Sequence, residues 1–120
     1  MAKFAESRMA FTVVLACMLV AASHVDSATL TCAQVTVLLT PCISYAVYGG
    51  TVSPVCCQGI KTLNAAYKTA EDRRSACTCI RDTAATIPGI NYERVNALGG
   101  ICNSPCPFKV YPSTNCSKLN

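Results

Sequence analysis

Tryptophan is absent from this 120-residue chain, and histidine occurs once, at His24. Charged residues make up only 13% of the sequence. With one histidine close to the N-terminus, no side chain beyond that region is suited to act as a general base near neutral pH. The acidic residues further along include a single adjacent pair, Glu71-Asp72, at a predicted helix start. Catalysis therefore has no visible apparatus. No polybasic run occurs, and no base-stacking aromatics are interleaved with basic residues, which excludes nucleic acid as a partner. Sustained apolar/polar alternation with hairpin turns is also missing, so strands are not expected. The longest apolar run, Phe11 to Ala22, has twelve residues, well short of the ~20 that span a bilayer.

That run has a different meaning. Lys3 and Arg8 precede it, and Val25 and Ser27 follow as small residues at the minus-three and minus-one places of a cleavage site. This order is a secretory signal peptide over residues 1–27. Cleavage after Ser27 leaves 28–120, a single small domain; cleavage after Ala28 is the close alternative. The mature part keeps four Lys, four Arg, two Asp and two Glu, a mild net +4.

Cysteine is what the chain has in abundance. Cys17 leaves with the leader, and nine remain: Cys32, Cys42, Cys56, Cys57, Cys77, Cys79, Cys102, Cys106 and Cys116. On an exported chain this number reads as a disulfide framework with one thiol left over. Zinc is the competing use. Adjacent Cys56-Cys57 and alternate Cys77-Thr78-Cys79 do not fit the usual ligand gap, and no histidine accompanies them.

Turn residues divide the mature part into four helical stretches and a tail. The first spans about Cys32 to Tyr48, with Pro41 expected to kink it and Gly49-Gly50 to stop it. The second starts with Ser53 as N-cap and Pro54 at the first helical position; Cys56, Ile60, Leu63 and Tyr67 then fall on one face. The third opens on Thr69-Ala70-Glu71-Asp72, a capping box with Asp in place of Glu, and runs to about Ala85. The fourth runs from the cap Asn91 through Leu98 and is closed by Gly99-Gly100. Pro105, Pro107 and Pro112 make the tail an irregular strap. The fold class is all-α. With no Trp and one Phe in the mature part, aliphatic side chains must fill most of the core, and four disulfides at roughly 2–4 kcal/mol each would supply what a thin core cannot. A domain stapled in this way tolerates a hollow interior.

The cysteine order, with gaps of nine, thirteen, zero, nineteen, one, twenty-two and thirteen residues between Cys32, Cys42, Cys56, Cys57, Cys77, Cys79, Cys102 and Cys116, closely resembles the eight-cysteine pattern of plant non-specific lipid transfer proteins. Seed storage albumins and cereal amylase and trypsin inhibitors share the adjacent and alternate cysteines, so the resemblance rests on all eight positions and seven gaps together. Thr69-Ala70-Glu71-Asp72-Arg73 matches a family pentapeptide, and Pro107-Phe108-Lys109-Val110-Tyr111 matches a second one loosely. Polar Thr78 between the alternate cysteines is similar to type 1 members. The resemblance implies the pairs Cys32–Cys79, Cys42–Cys56, Cys57–Cys102 and Cys77–Cys116. Cys106 is then the free thiol, expected to be buried as a small hydrophobe at the cavity mouth.

The resemblance further implies a disulfide-stapled four-helix bundle around an apolar cavity that carries fatty acids, lysolipids and phospholipids, in a monomer that touches membrane surfaces transiently. No cofactor and no metal is implied. Leu38, Ile60, Leu63, Ile80, Ala84, Val95, Leu98, Phe108 and Val110 are the candidates for its wall, and Arg73 for a polar gate that donates to a carboxylate or phosphate. For the wall, the ordinary alternative is a filled core, which periodicity cannot separate from a hollow one. For Arg73 it is a solvated charge. Phe108 departs from the family's Tyr and lacks the hydroxyl that could bond a lipid head; Tyr111 is a nearby phenol. Asn115-Cys116-Ser117 fits a glycosylation acceptor formally, but its middle residue is expected in a disulfide. Secretion to the cell wall or apoplast, roles in cuticle deposition or defence, and allergenicity are family traits that the resemblance brings with it. The rival functions are hydrolase inhibition, which needs an exposed rigid loop, and membrane permeabilisation, for which +4 spread over several elements is weak.

Overall fold

The computed structural model describes residues 30–120; the leader assigned to 1–27 lies outside them. Five α-helices follow in order: α1 (Cys32–Leu39), α2 (Ile43–Tyr48), α3 (Pro54–Ala66), α4 (Ala70–Ala84) and α5 (Tyr92–Ile101). Short 3₁₀ turns occupy Thr40–Cys42 and Cys116–Lys118. No strand occurs among the described residues.

The first predicted helix is thus two helices. Pro41 sits in the 3₁₀ turn between α1 and α2, where its missing N–H breaks the α ladder. The other starts follow their caps. Ser53 accepts from the Cys56 N–H ahead of Pro54, and Asn91 accepts from Arg94 N–H. Thr69 and Asp72 form a reciprocal capping box on α4. Asp72 also accepts from the N–H of Lys68 at 2.9 Å, which holds its carboxyl below the usual carboxylate range despite its burial.

The end of α5 differs from the sequence expectation. Gly99 and Gly100 do not stop the helix, which continues to Ile101. Gly99 is buried against the tail: a Cβ there would press on the backbone at Ser104, Pro105 and Cys106. Its glycine serves close approach, not termination. Gly59 plays the same part between α1 and α3, where a side chain would overlap the Leu38 carbonyl oxygen. The true stop of this kind is Gly49 after α2, with φ +76°.

Four disulfides hold the helices: Cys32–Cys79, Cys42–Cys56, Cys57–Cys102 and Cys77–Cys116. The first ties α1 to α4, and the last ties the tail to α4. The core falls into two buried clusters. One gathers Val35, Leu63, Ala76, Phe108 and Val110 with Cys77, Cys79 and Cys116. The other gathers Ile60 and Leu98 around Cys42, Cys56 and Cys102. Between them the packing is incomplete.

Candidate functional site

Two adjoining cavities open where the helices fail to meet. The smaller, about 90 Å³, is lined by Val35, Leu39, Ile43 and Ala46 of the first two helices, by Ile80 and Ala84 of α4, and by Ile87, Ile90, Val95 and Leu98 beyond it. Its polar groups are threonines. Thr36 and Thr40 spend their hydroxyls on the carbonyls of Cys32 and Thr36, at 2.8 and 2.7 Å. The larger cavity, about 190 Å³, lies between α3, α5 and the tail and is lined by Ile60, Leu63, Tyr67, Asn96, Phe108 and Val110 among others. Leu39, Ile80, Val95 and Leu98 belong to both linings. Leu39, Ile80 and Val95 are only half-buried, though they face inward, because part of their surface borders empty space.

The tail forms the lid of the larger cavity, and two asparagines hold it. Asn96 donates from Nδ2 to the Val110 carbonyl at 2.9 Å, and its Oδ1 accepts from the Val110 N–H at 2.7 Å. Asn64 donates from Nδ2 to the Ser104 carbonyl at 3.0 Å and to its hydroxyl at 2.7 Å. Phe108 and Val110 are thereby pressed inward, both buried, and the Phe108 ring packs on Tyr67 at 6.3 Å between centroids. Neither asparagine was singled out from sequence. A polar residue within a helix carries no local mark of a partner forty residues away, as for Asn64, or fourteen, as for Asn96.

Eight of the ten predicted site residues lie in these walls: Ile60, Leu63, Ile80, Ala84, Val95, Leu98, Phe108 and Val110. Leu38 does not. The next residue, Leu39, takes that place, since one helical step rotates a side chain by about 100° and Val35, Leu39 and Cys42 share the inward face. Arg73 does not either. Its Nε donates to the Asn120 carbonyl at 2.7 Å, while Arg74 does the same to Leu119 at 2.7 Å. Near the start of α4, the side chain leans back toward the chain end and away from the cavities. Cys106 is unpaired, and it lines the larger cavity as part of its mouth. The residue is nevertheless exposed, which corrects the expectation of a buried one. Flanking prolines hold this stretch of tail on the outside of the lid, although partial desolvation over the cavity pushes its thiol pKa up. Tyr111 is also exposed, and its ring packs on Tyr92 at 6.3 Å, outside both linings. Among the described residues, no group of three His, Cys, Asp or Glu could hold a metal, and no helix is long and apolar enough to cross a membrane.

Fold and site define a class: small disulfide-stapled helical proteins with an apolar interior open to a guest. A family model for the protease inhibitor/seed storage/LTP family matches residues 32–116, and the chain belongs to that family. It is 46% identical over 106 residues to the non-specific lipid-transfer protein Cor a 8.0101 of Corylus avellana, covering 88% of this chain and 91% of that protein. The structure of the hazelnut allergen Cor a 8 superposes with a TM-score of 0.72 at 43% identity, over 77% of this chain and all of that one. The barley non-specific lipid transfer protein 1 in complex with a lysophosphatidylcholine superposes with a TM-score of 0.72 at 28% identity, over 76% of this chain and 100% of that one.

Proposed function

We infer that this protein binds and transfers lipids, carrying fatty acids, lysolipids and phospholipids in its interior. The observation that carries this reading is the pair of adjoining, mainly apolar cavities, divided only by four shared aliphatic side chains that a long hydrocarbon chain can turn aside. Each methylene moved from water into such a space gains ~0.8 kcal/mol. Methylenes offer no directional contacts, so affinity comes without head-group selectivity. The barley relative with bound lysolipid supports the same use of the same fold.

Ile60, Leu63, Ile80, Ala84, Val95, Leu98, Phe108 and Val110 form the contact wall, joined by Val35, Leu39 and Ile43. The activity is binding, not catalysis. Residues 1–27, with their basic start and apolar run, export the chain to the extracellular space as a monomer that meets membranes only transiently.

Displacement of a fluorescent fatty acid tests the reading. Oleate and lysophosphatidylcholine should each displace the probe saturably, with micromolar Kd, roughly −7 to −9 kcal/mol. Absence of saturable displacement by both would refute lipid carriage. Inhibition of trypsin or amylase in its place would support the hydrolase-inhibitor alternative.

A further inference from the structure

Among the described residues, one buried side-chain polar atom has no hydrogen-bond partner: the hydroxyl of Tyr67. A phenol O–H withdrawn from water and left unpaired costs free energy. Tyr67 stands where that cost has a use. It is the C-cap of α3, with extended backbone, and its ring lines the larger cavity and packs on Phe108.

Most of the remaining polar groups of the interior are committed elsewhere, the hydroxyl of Thr83 in the smaller cavity excepted. Asn64 and Asn96 direct their amide N–H groups to the tail and, for Asn96, to its own helix as well. In the smaller cavity, the hydroxyls of Thr36 and Thr40 bond helix carbonyls. Phe108 carries no hydroxyl, Tyr111 lies outside, and Arg73 and Arg74 are spent on the C-terminal carbonyls. Lys109 is at the rim of the larger cavity but is exposed.

We propose that Tyr67 is the hydrogen-bond donor that recognises the acceptor oxygen of the bound lipid, a carboxylate or ester carbonyl, inside the larger cavity. This rests on the lipid-binding reading above and adds to it a polar end: the oxygen-bearing end of the guest lies by α3 and the tail, and its hydrocarbon end runs past Leu39 and Val95 into the smaller cavity. The hydroxyl is suited to donate because it stays protonated. Burial, and secondarily the neighbouring Cys106, push its pKa well above the ordinary phenol range.

The test compares the secreted protein with its Tyr67→Phe variant, using diphenylhexatriene, a hydrocarbon probe without oxygen, and palmitate as its competitor. In the variant the Kd for palmitate should rise about tenfold, or about 1.4 kcal/mol, as expected for loss of one bond to a charged acceptor. The Kd for diphenylhexatriene should stay within about twofold. The melting temperature of the lipid-free variant should match or exceed that of the parent, since the lost oxygen had no partner. An unchanged palmitate Kd, an equal loss for both ligands, or a lower melting temperature would each overturn the role of Tyr67. If the parent protein binds neither ligand, the lipid-binding reading itself falls.

Discussion

Asp72 shows how a single residue can be read in the chain and still hold more than the reading. Its place three residues after Thr69 marks a helix start, and the capping box is present. Its carboxylate closes that box on the Thr69 N–H at 3.3 Å and also accepts from the Lys68 N–H at 2.9 Å, a contact that spacing alone does not announce. The Lys68 bond is the main cause of its lowered pKa. A carboxyl whose pKa is lower in the folded than in the unfolded chain adds stability above about 3.9, the unfolded value. That stability drains away as pH falls through the folded value. Melting temperature measured from about pH 6 to pH 2 should therefore fall at the acid end. In Asp72→Asn it should start lower at neutral pH, and the part of the acid decline due to this group should vanish. Parallel curves for the two proteins would show that Asp72 is not linked to folding. Arg73, its neighbour, was legible as a charge in an unusual place, near a helix N-terminus where cations are disfavoured. Its partner proved to be the chain end, which no local pattern encodes.

At the scale of elements, what sequence made legible was the helix starts, because caps act locally. Ser53-Pro54, Thr69-Asp72 and Asn91 each sit one residue outside or just within an observed helix. Glycine was less transparent, since it ends a helix in one context and admits a neighbour in another. Gly49 does the first; Gly99 and Gly59 do the second. The wall residues were mostly legible because periodicity identifies an inward face. That they face a space and not each other is a fact of how the helices meet. The contact of α1 with α3 at Gly59 has a direct test. Gly59→Ala should destabilise by about 1–3 kcal/mol through overpacking, although alanine is the better helix former. Denaturant unfolding would show this as a lower midpoint at unchanged slope. An unchanged or higher midpoint would mean that the two helices part without cost.

The molecule as a whole gives up packing and recovers rigidity through covalent links. Interiors are normally filled to crystal-like density, and two cavities forfeit contacts that a domain without Trp can ill spare. Three of the four disulfides close long stretches, with separations of 47, 45 and 39 residues. In the chain-entropy account each of these restrains the unfolded state by about 4 kcal/mol, against about 3 for the Cys42–Cys56 link of separation 14. The framework thus stabilises the fold without touching the space inside it, and that space is left free to differ in content from one moment to the next.

The partition made by Leu39, Ile80, Val95 and Leu98 gives this freedom a threshold. A guest with few carbons can lodge in one chamber and leave the four side chains in their resting rotamers. A longer one must turn them aside, and only then does the second chamber become part of its berth. Across saturated acids of increasing carbon number, calorimetric binding free energy should therefore rise, flatten while the rotamers are being displaced, and rise again. A straight line from short to long acids would show that the partition offers no resistance. With the bend, the protein would discriminate by length through nothing more than side-chain rotation, and no residue would have to act as a ruler.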